Sequence, residues 1–109
     1  MHWSLFLLLW WLPSFTYYSL IIRIRNISEH AVTPGNNDFD NTRTTKSTIL
    51  TRFLMVPHNV NYHLEHHLFT RCPWYNLPKA HKMLLDEGYA DKMCIESSYR
   101  SVLSKATGR

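Results

Sequence analysis

The sequence predicts a mainly α-helical integral-membrane protein segment, with one N-terminal transmembrane span followed by a helical and loop tail. Three observations predict it. No Asp, Glu, Lys or Arg precedes Arg23, whereas all twelve basic and eight acidic residues fall at or beyond that position. Trp3 to Ile22 reads WSLFLLLWWLPSFTYYSLII, an uninterrupted uncharged run. Beyond it, short helix-compatible stretches alternate with Pro, Gly and Asn turn signals, and no stretch of strand periodicity rises above noise.

Twenty residues at about 1.5 Å rise each cover roughly 30 Å, the hydrocarbon thickness of a bilayer. With its flanks the span is placed at 2–24. A secretory signal would instead need a basic start, a shorter apolar stretch and a small-residue cleavage site. The chain opens Met1-His2 and continues Ile22-Arg23-Ile24-Arg25 past the apolar run, which supplies none of these. A buried helix of a soluble protein is the other competing reading. Trp10, Trp11, Tyr17 and Tyr18 suit headgroup levels or neighbouring helices, and Pro13 predicts a bend or a break into two shorter pieces.

Arg23 and Arg25 follow the span directly, so the positive-inside rule places 25–109 in the cytoplasm. In that reducing compartment Cys72 and Cys94, far apart and outside any C-x-x-C pair, are expected to be free thiols. The net charge of +4 is carried by scattered Lys and Arg without an aromatic-basic recognition motif. Anionic lipid headgroups, not nucleic acid, are its expected counterpart. Three glycines in the whole chain leave no room for a phosphate-cradling loop.

Along the tail, Arg25 to Val32 extends the helix, and Thr33-Pro34-Gly35-Asn36-Asn37-Asp38 predicts its stop and a turn. Asp38 to Lys46 reads as a polar loop. Ile49 to Val56 is too short to cross a bilayer and carries Arg52, as in a segment lying at the interface or packed under a membrane domain, and Pro57 closes it. Asn59 to Phe69 has helical character and stops at Arg71-Cys72-Pro73. Pro78 suits the first turn of a helix running to about Glu87, with Leu77, Ala80, Leu84 and Leu85 inward and Gly88 as its stop. A last helical patch covers Ser98 to Lys105.

The chemistry is concentrated in His63-Leu64-Glu65-His66-His67. At about 100° per residue, His66 lies about 60° behind His63 and His67 about 40° ahead, so the three imidazoles share one helix face. At an unperturbed pKa near 6.5 they are mostly neutral at cytoplasmic pH, the form that ligates metal. Nitrogen-rich, sulfur-free coordination suits iron, zinc or copper. The zinc-protease pattern H-E-x-x-H fails, because Leu64 stands where its Glu belongs. A solvated histidine face and a structural zinc site are the blander readings. Glu65 suits either an orienting role beside a ligand imidazole or a surface position. Asn26 and His30, four apart, share a face just past the span, a spacing equally compatible with solvated or capping groups. His2, His58 and His81 read as structural or surface residues.

NVNYHLEHHLF followed by PWYNLPKAH resembles the third histidine box and its flank in the membrane fatty-acid desaturases. RIRNISEHA, with NTRTT after a polar loop, is similar to the segment joining the last membrane helix to that box in bacterial-type members. The similarity runs from about Ile21 to Leu84. It implies that 1–109 is a partial desaturase domain of an oxidoreductase that introduces a C=C bond into an acyl chain, with O2 as co-substrate and a di-iron centre as cofactor. It further implies His63, His66 and His67 as metal ligands, His30 as the additional ligand on the preceding helix, and Asn26 as an outer residue approaching one iron through a water. The implied partners are a membrane lipid or acyl substrate and an electron donor such as ferredoxin or cytochrome b5.

The H-x-x-x-H box and the first H-x-x-H-H box of that family do not occur here, nor do its other spans. The di-iron centre would therefore be completed by histidines absent from this chain, and the isolated piece is expected to be inactive. Two alternatives accompany this reading. A related membrane di-iron hydroxylase or ketolase would share the histidines, and a small non-catalytic metal-binding membrane protein would need no more than the cluster.

Overall fold

The computed structural model describes residues 2–33, 35, 37 and 39–109. Its dominant element is a single helix, α1, Trp3–His30. At about 1.5 Å per residue it is about 42 Å long, and it is apolar enough to cross a membrane. The predicted break at Pro13 does not occur. Pro13 keeps right-handed helical angles, and wide π-type turns over Leu7–Trp11 and Ser14–Tyr18 lie on either side of it. Such turns let a helix absorb the missing N–H and the ring's clash without ending. Ser14 donates to the Trp10 carbonyl and Thr16 to the Leu12 carbonyl, at 2.5 and 2.6 Å. Leu9, Trp10 and Phe15 are exposed on α1.

The stop predicted over 33–38 falls partly on Pro34, Asn36 and Asp38, which lie outside the described residues. Helix α1 ends at His30, where Ala31 turns extended. Arg43, itself buried, donates to the carbonyls of Ser28 at 3.4 Å and Val32 at 3.0 Å. A guanidinium there satisfies carbonyls that a helix C-terminus leaves unpaired, and its charge complements the helix dipole.

The loop expected over 38–46 contains a strand, β1, Thr44–Thr45, which pairs in parallel with β2, Ile95–Glu96. Two-residue strands are too short to carry a period-two pattern, which is why sequence periodicity passes over them. On its other edge β1 bridges Tyr62, and Asn61 adds a side-chain bond to the Thr45 carbonyl at 3.0 Å. Thr42 to Thr45 are all buried. This small platform fixes the residues that immediately precede the histidine segment.

Helix α2 is Ile49–Leu54, capped by the Thr48 side chain on the Thr51 amide. It lies beside α1, with the Tyr17 hydroxyl donating to the Leu54 carbonyl. Helix α3, His63–Leu68, starts later than the sequence predicts, because His58 and Asn59 take left-handed angles of φ 57° and 55°. Helix α4 is Leu77–Asp86, with Pro78 in its first turn and Gly88 beyond it at φ 85°. Leu77 and Leu84 are buried and Ala80 partly so, whereas Leu85 faces out. Helix α5, Tyr99–Ala106, is capped by Ser98 and packs on the C-terminal part of α1. The apolar core joins Leu64 of α3, Leu84 of α4 and Met93, with Phe39, Leu68 and Ile95 around them. Cys72 and Cys94 are free thiols.

Candidate metal centre

Two elements meet at the site. The last turn of α1 ends on His30, and α3 begins on His63. The platform of β1 and Asn61–Tyr62 sets the entry of α3, and Leu64, fully buried on its inner side, turns the imidazoles outward toward α1. The Nε2 atoms of His63 and His30 stand 3.1 Å apart, and those of His67 and His63 3.0 Å. Donor atoms of His30, His63 and His67 all lie within 4.8 Å of one another. The ring pairs His30–His63 and His30–His67 meet edge to face, with centroids 4.8 and 5.9 Å apart.

A ring nitrogen has one in-plane site, either a lone pair or an N–H, so His63 Nε2 cannot complete hydrogen bonds to both neighbours. A cation accepting the three lone pairs removes that conflict. Two nitrogens each about 2.1 Å from one ion and about 90° apart stand about 3 Å from each other, the separation seen here. The donor set therefore fits a divalent transition metal. Burial, followed by the neighbouring His67, His30 and His66 imidazoles and the Arg25 guanidinium, depresses the His63 pKa to about 3. His63 is thus neutral at any physiological pH, ready as a ligand.

His66 projects from the same helix but stands apart from the trio, with its ring 6.2 Å from that of His63 and 6.0 Å from that of His67. It lines a cleft of about 300 Å³ together with Arg25, His58, Cys72 and Trp74. A second cleft, of about 360 Å³, opens beside His30 and His67 between Thr33 and Thr42. The cluster thus sits between two openings, with His66 aimed into one of them. Asn26, one turn before His30, is exposed. A larger apolar groove of about 610 Å³ runs along Leu68, Ala80 and Met83, and none of the histidines lines it.

Two buried carboxylates flank the histidine segment, one on each side. Glu29 is buried and hydrogen-bonded to Arg25 at 3.3 Å, with its Oε2 3.7 Å from His63 Nδ1. With His63 neutral, this is a contact between a carboxyl and a ring dipole, not an ion pair. Glu65 is fully buried, which excludes the surface position, and its oxygens meet His81 and Thr44 instead of a ligand imidazole. His81 is accordingly structural. No signal in the sequence pairs Glu29 with His63, since they lie 34 positions apart.

Comparison with known proteins adds one positive finding. No match was found among curated proteins or among solved structures. The family model for fatty acid desaturases matches residues 1–96, which include α1, the platform and every imidazole of the cluster. The chain belongs to the fatty acid desaturase family.

Proposed function

We propose that this chain supplies the last part of the metal centre of an O2-dependent oxidoreductase that introduces a C=C bond into a fatty-acyl chain. The observation that carries the reading is the convergence of His30, His63 and His67 within 4.8 Å, from two elements inside the region that matches the family. His30, His63 and His67 would hold one iron, and His66 points to where a second would be completed by histidines from outside this chain. Asn26 is one helical turn from His30, as an outer residue of that centre would be. Iron bound there supplies activation of O2 for removal of two hydrogens from adjacent acyl carbons, with two further electrons and two protons completing the reduction to water.

The chain's own residues have simpler tasks. His63 is kept unprotonated by burial, so its lone pair is available. The end of α1 sets the depth of the site, placing it just beyond an apolar span where a membrane lipid or acyl substrate can reach it. Arg23 and Arg25 favour the cytoplasmic face for that end, where ferredoxin or cytochrome b5 would deliver electrons. Four histidines are too few to enclose two irons, so the chain by itself is inactive.

Iron content and acyl products test this directly. The purified chain is expected to bind fewer than two irons and to yield no unsaturated product. In a complete enzyme carrying this segment, alanine at His63 is expected to abolish desaturation; undiminished desaturation there would overturn the assignment.

A further inference from the structure

Glu65 sits inside the H-x-x-H-H segment yet points away from the metal face. It is two residues from both His63 and His67, which places it about 200° around the helix from each. Its side chain is completely buried. A carboxylate is almost never fully buried unless it is paired, and both of its oxygens are. Oε1 lies 2.5 Å from His81 Nδ1, and Oε2 accepts from the Thr44 hydroxyl. The two partners belong to α4 and β1, separate elements that both pack against α3. His81 also packs its ring against Tyr62, with centroids 5.3 Å apart, and Tyr62 is the residue immediately before α3.

We infer that Glu65 is a positioning residue: through His81 and Thr44 it fixes the rotation of α3 about its own axis, and so the aim of His63, His66 and His67. This rests on the reading of those imidazoles as metal ligands. A six-residue helix has too few internal hydrogen bonds to hold itself. The packing of Leu64 draws α3 inward, but apolar burial is non-directional and leaves the helix free to turn. Hydrogen bonds are directional, and two of them to separate elements stop that rotation. The stake is geometric. Imidazole nitrogens sit roughly 7 Å from the helix axis, so a turn of about 20° moves them about 2 Å relative to His30 on α1, which would break the 3.1 Å approach of His63 to His30. His81 reaches the metal only through Glu65.

The test uses the full chain in detergent micelles, with Co2+ as the probe and the ring nitrogen signals of the metal-free histidines as a second readout. Glu65→Leu and His81→Phe are expected to shift the ring signals of His63 and His67 and to weaken Co2+ binding about 10–100-fold, although neither removes a ligand. Glu65→Gln can accept from His81 with its carbonyl and donate to Thr44 with its amide, so it is expected to restore wild-type ring signals and affinity. Thr44→Val, which removes only one of the two bonds, is expected to fall between, and it guards against misfolding of the harsher variants. Unchanged ring signals in both Glu65→Leu and His81→Phe would overturn the inference. So would a Glu65→Gln chain as impaired as Glu65→Leu, because the charge and not the bonding would then matter. If the variants shift the ring signals while the wild-type chain takes up no Co2+, the metal reading fails and the anchor stands.

Discussion

Replacing His63 removes the nitrogen that both His30 and His67 approach, so it is the residue on which the cluster turns. His63→Ala is expected to weaken Co2+ binding by more than the 10–100-fold typical of losing an outer partner, and His66→Ala by less, as read in a titration followed by visible absorption. The same residue carries a pH dependence. Its folded pKa is about 3, whereas an unfolded histidine titrates near 6.5, so below pH 6.5 the unfolded chain holds a proton that the folded chain refuses. The stability that His63 contributes is therefore full above pH 6.5 and is lost progressively as the pH falls toward 3. Urea midpoints of the metal-free chain should fall between pH 7 and pH 5, and fall less steeply for His63→Gln. Neither this depression nor the burial of Glu65 is fully legible in the residue string, since both depend in part on partners 16 to 38 positions away in sequence. The shared face of His63, His66 and His67 is legible, because helical spacing alone dictates it.

At the scale of elements, short pieces are held by partners distant in sequence. Arg43 is the clearest case, since its guanidinium closes the end of α1 from the residue just before β1. Arg43→Leu leaves the Ser28 and Val32 carbonyls without that donor and is expected to cost about 1–3 kcal/mol, measured by denaturant unfolding in detergent. Leu64 is the apolar counterpart on α3, with no exposed surface and contacts across the core. Leu64→Ala should cost about 2–5 kcal/mol and lower the α3 signal in hydrogen exchange before that of α1. The late start of α3 belongs here too. His58 and Asn59 carry left-handed angles that no propensity rule assigns to that pair in advance, so helical character read from Asn59 onward overshoots by one turn.

Taken as a whole, the molecule is an apolar rod joined to a small polar and apolar cap, with the imidazoles at the junction. The exposed side chains of α1 need a cover of lipid or neighbouring helices, since so large an apolar surface is unstable in water. In lipid vesicles, with Cys72 and Cys94 changed to Ser, a cysteine at Leu9 is expected to resist a water-soluble maleimide. One at Thr33, beyond the end of α1, is expected to react. Equal labelling at both positions would show that α1 does not cross the bilayer.

The residue order by itself determined the apolar helix, the single imidazole face and the breaks around Pro57, Pro73 and Gly88, because each depends on composition or on spacing within a few positions. It also carried the family resemblance. Only the tertiary structure decided that α1 passes through Pro13, that β1 and β2 pair, that His30 meets His63 and His67, and that Glu65 turns inward to His81 and Thr44. The passage through Pro13 rests on π-type turns beside it; the other outcomes require segments far apart in the chain to come together, and which surfaces meet is settled by packing and by pairing of buried polar groups, quantities that no local window contains.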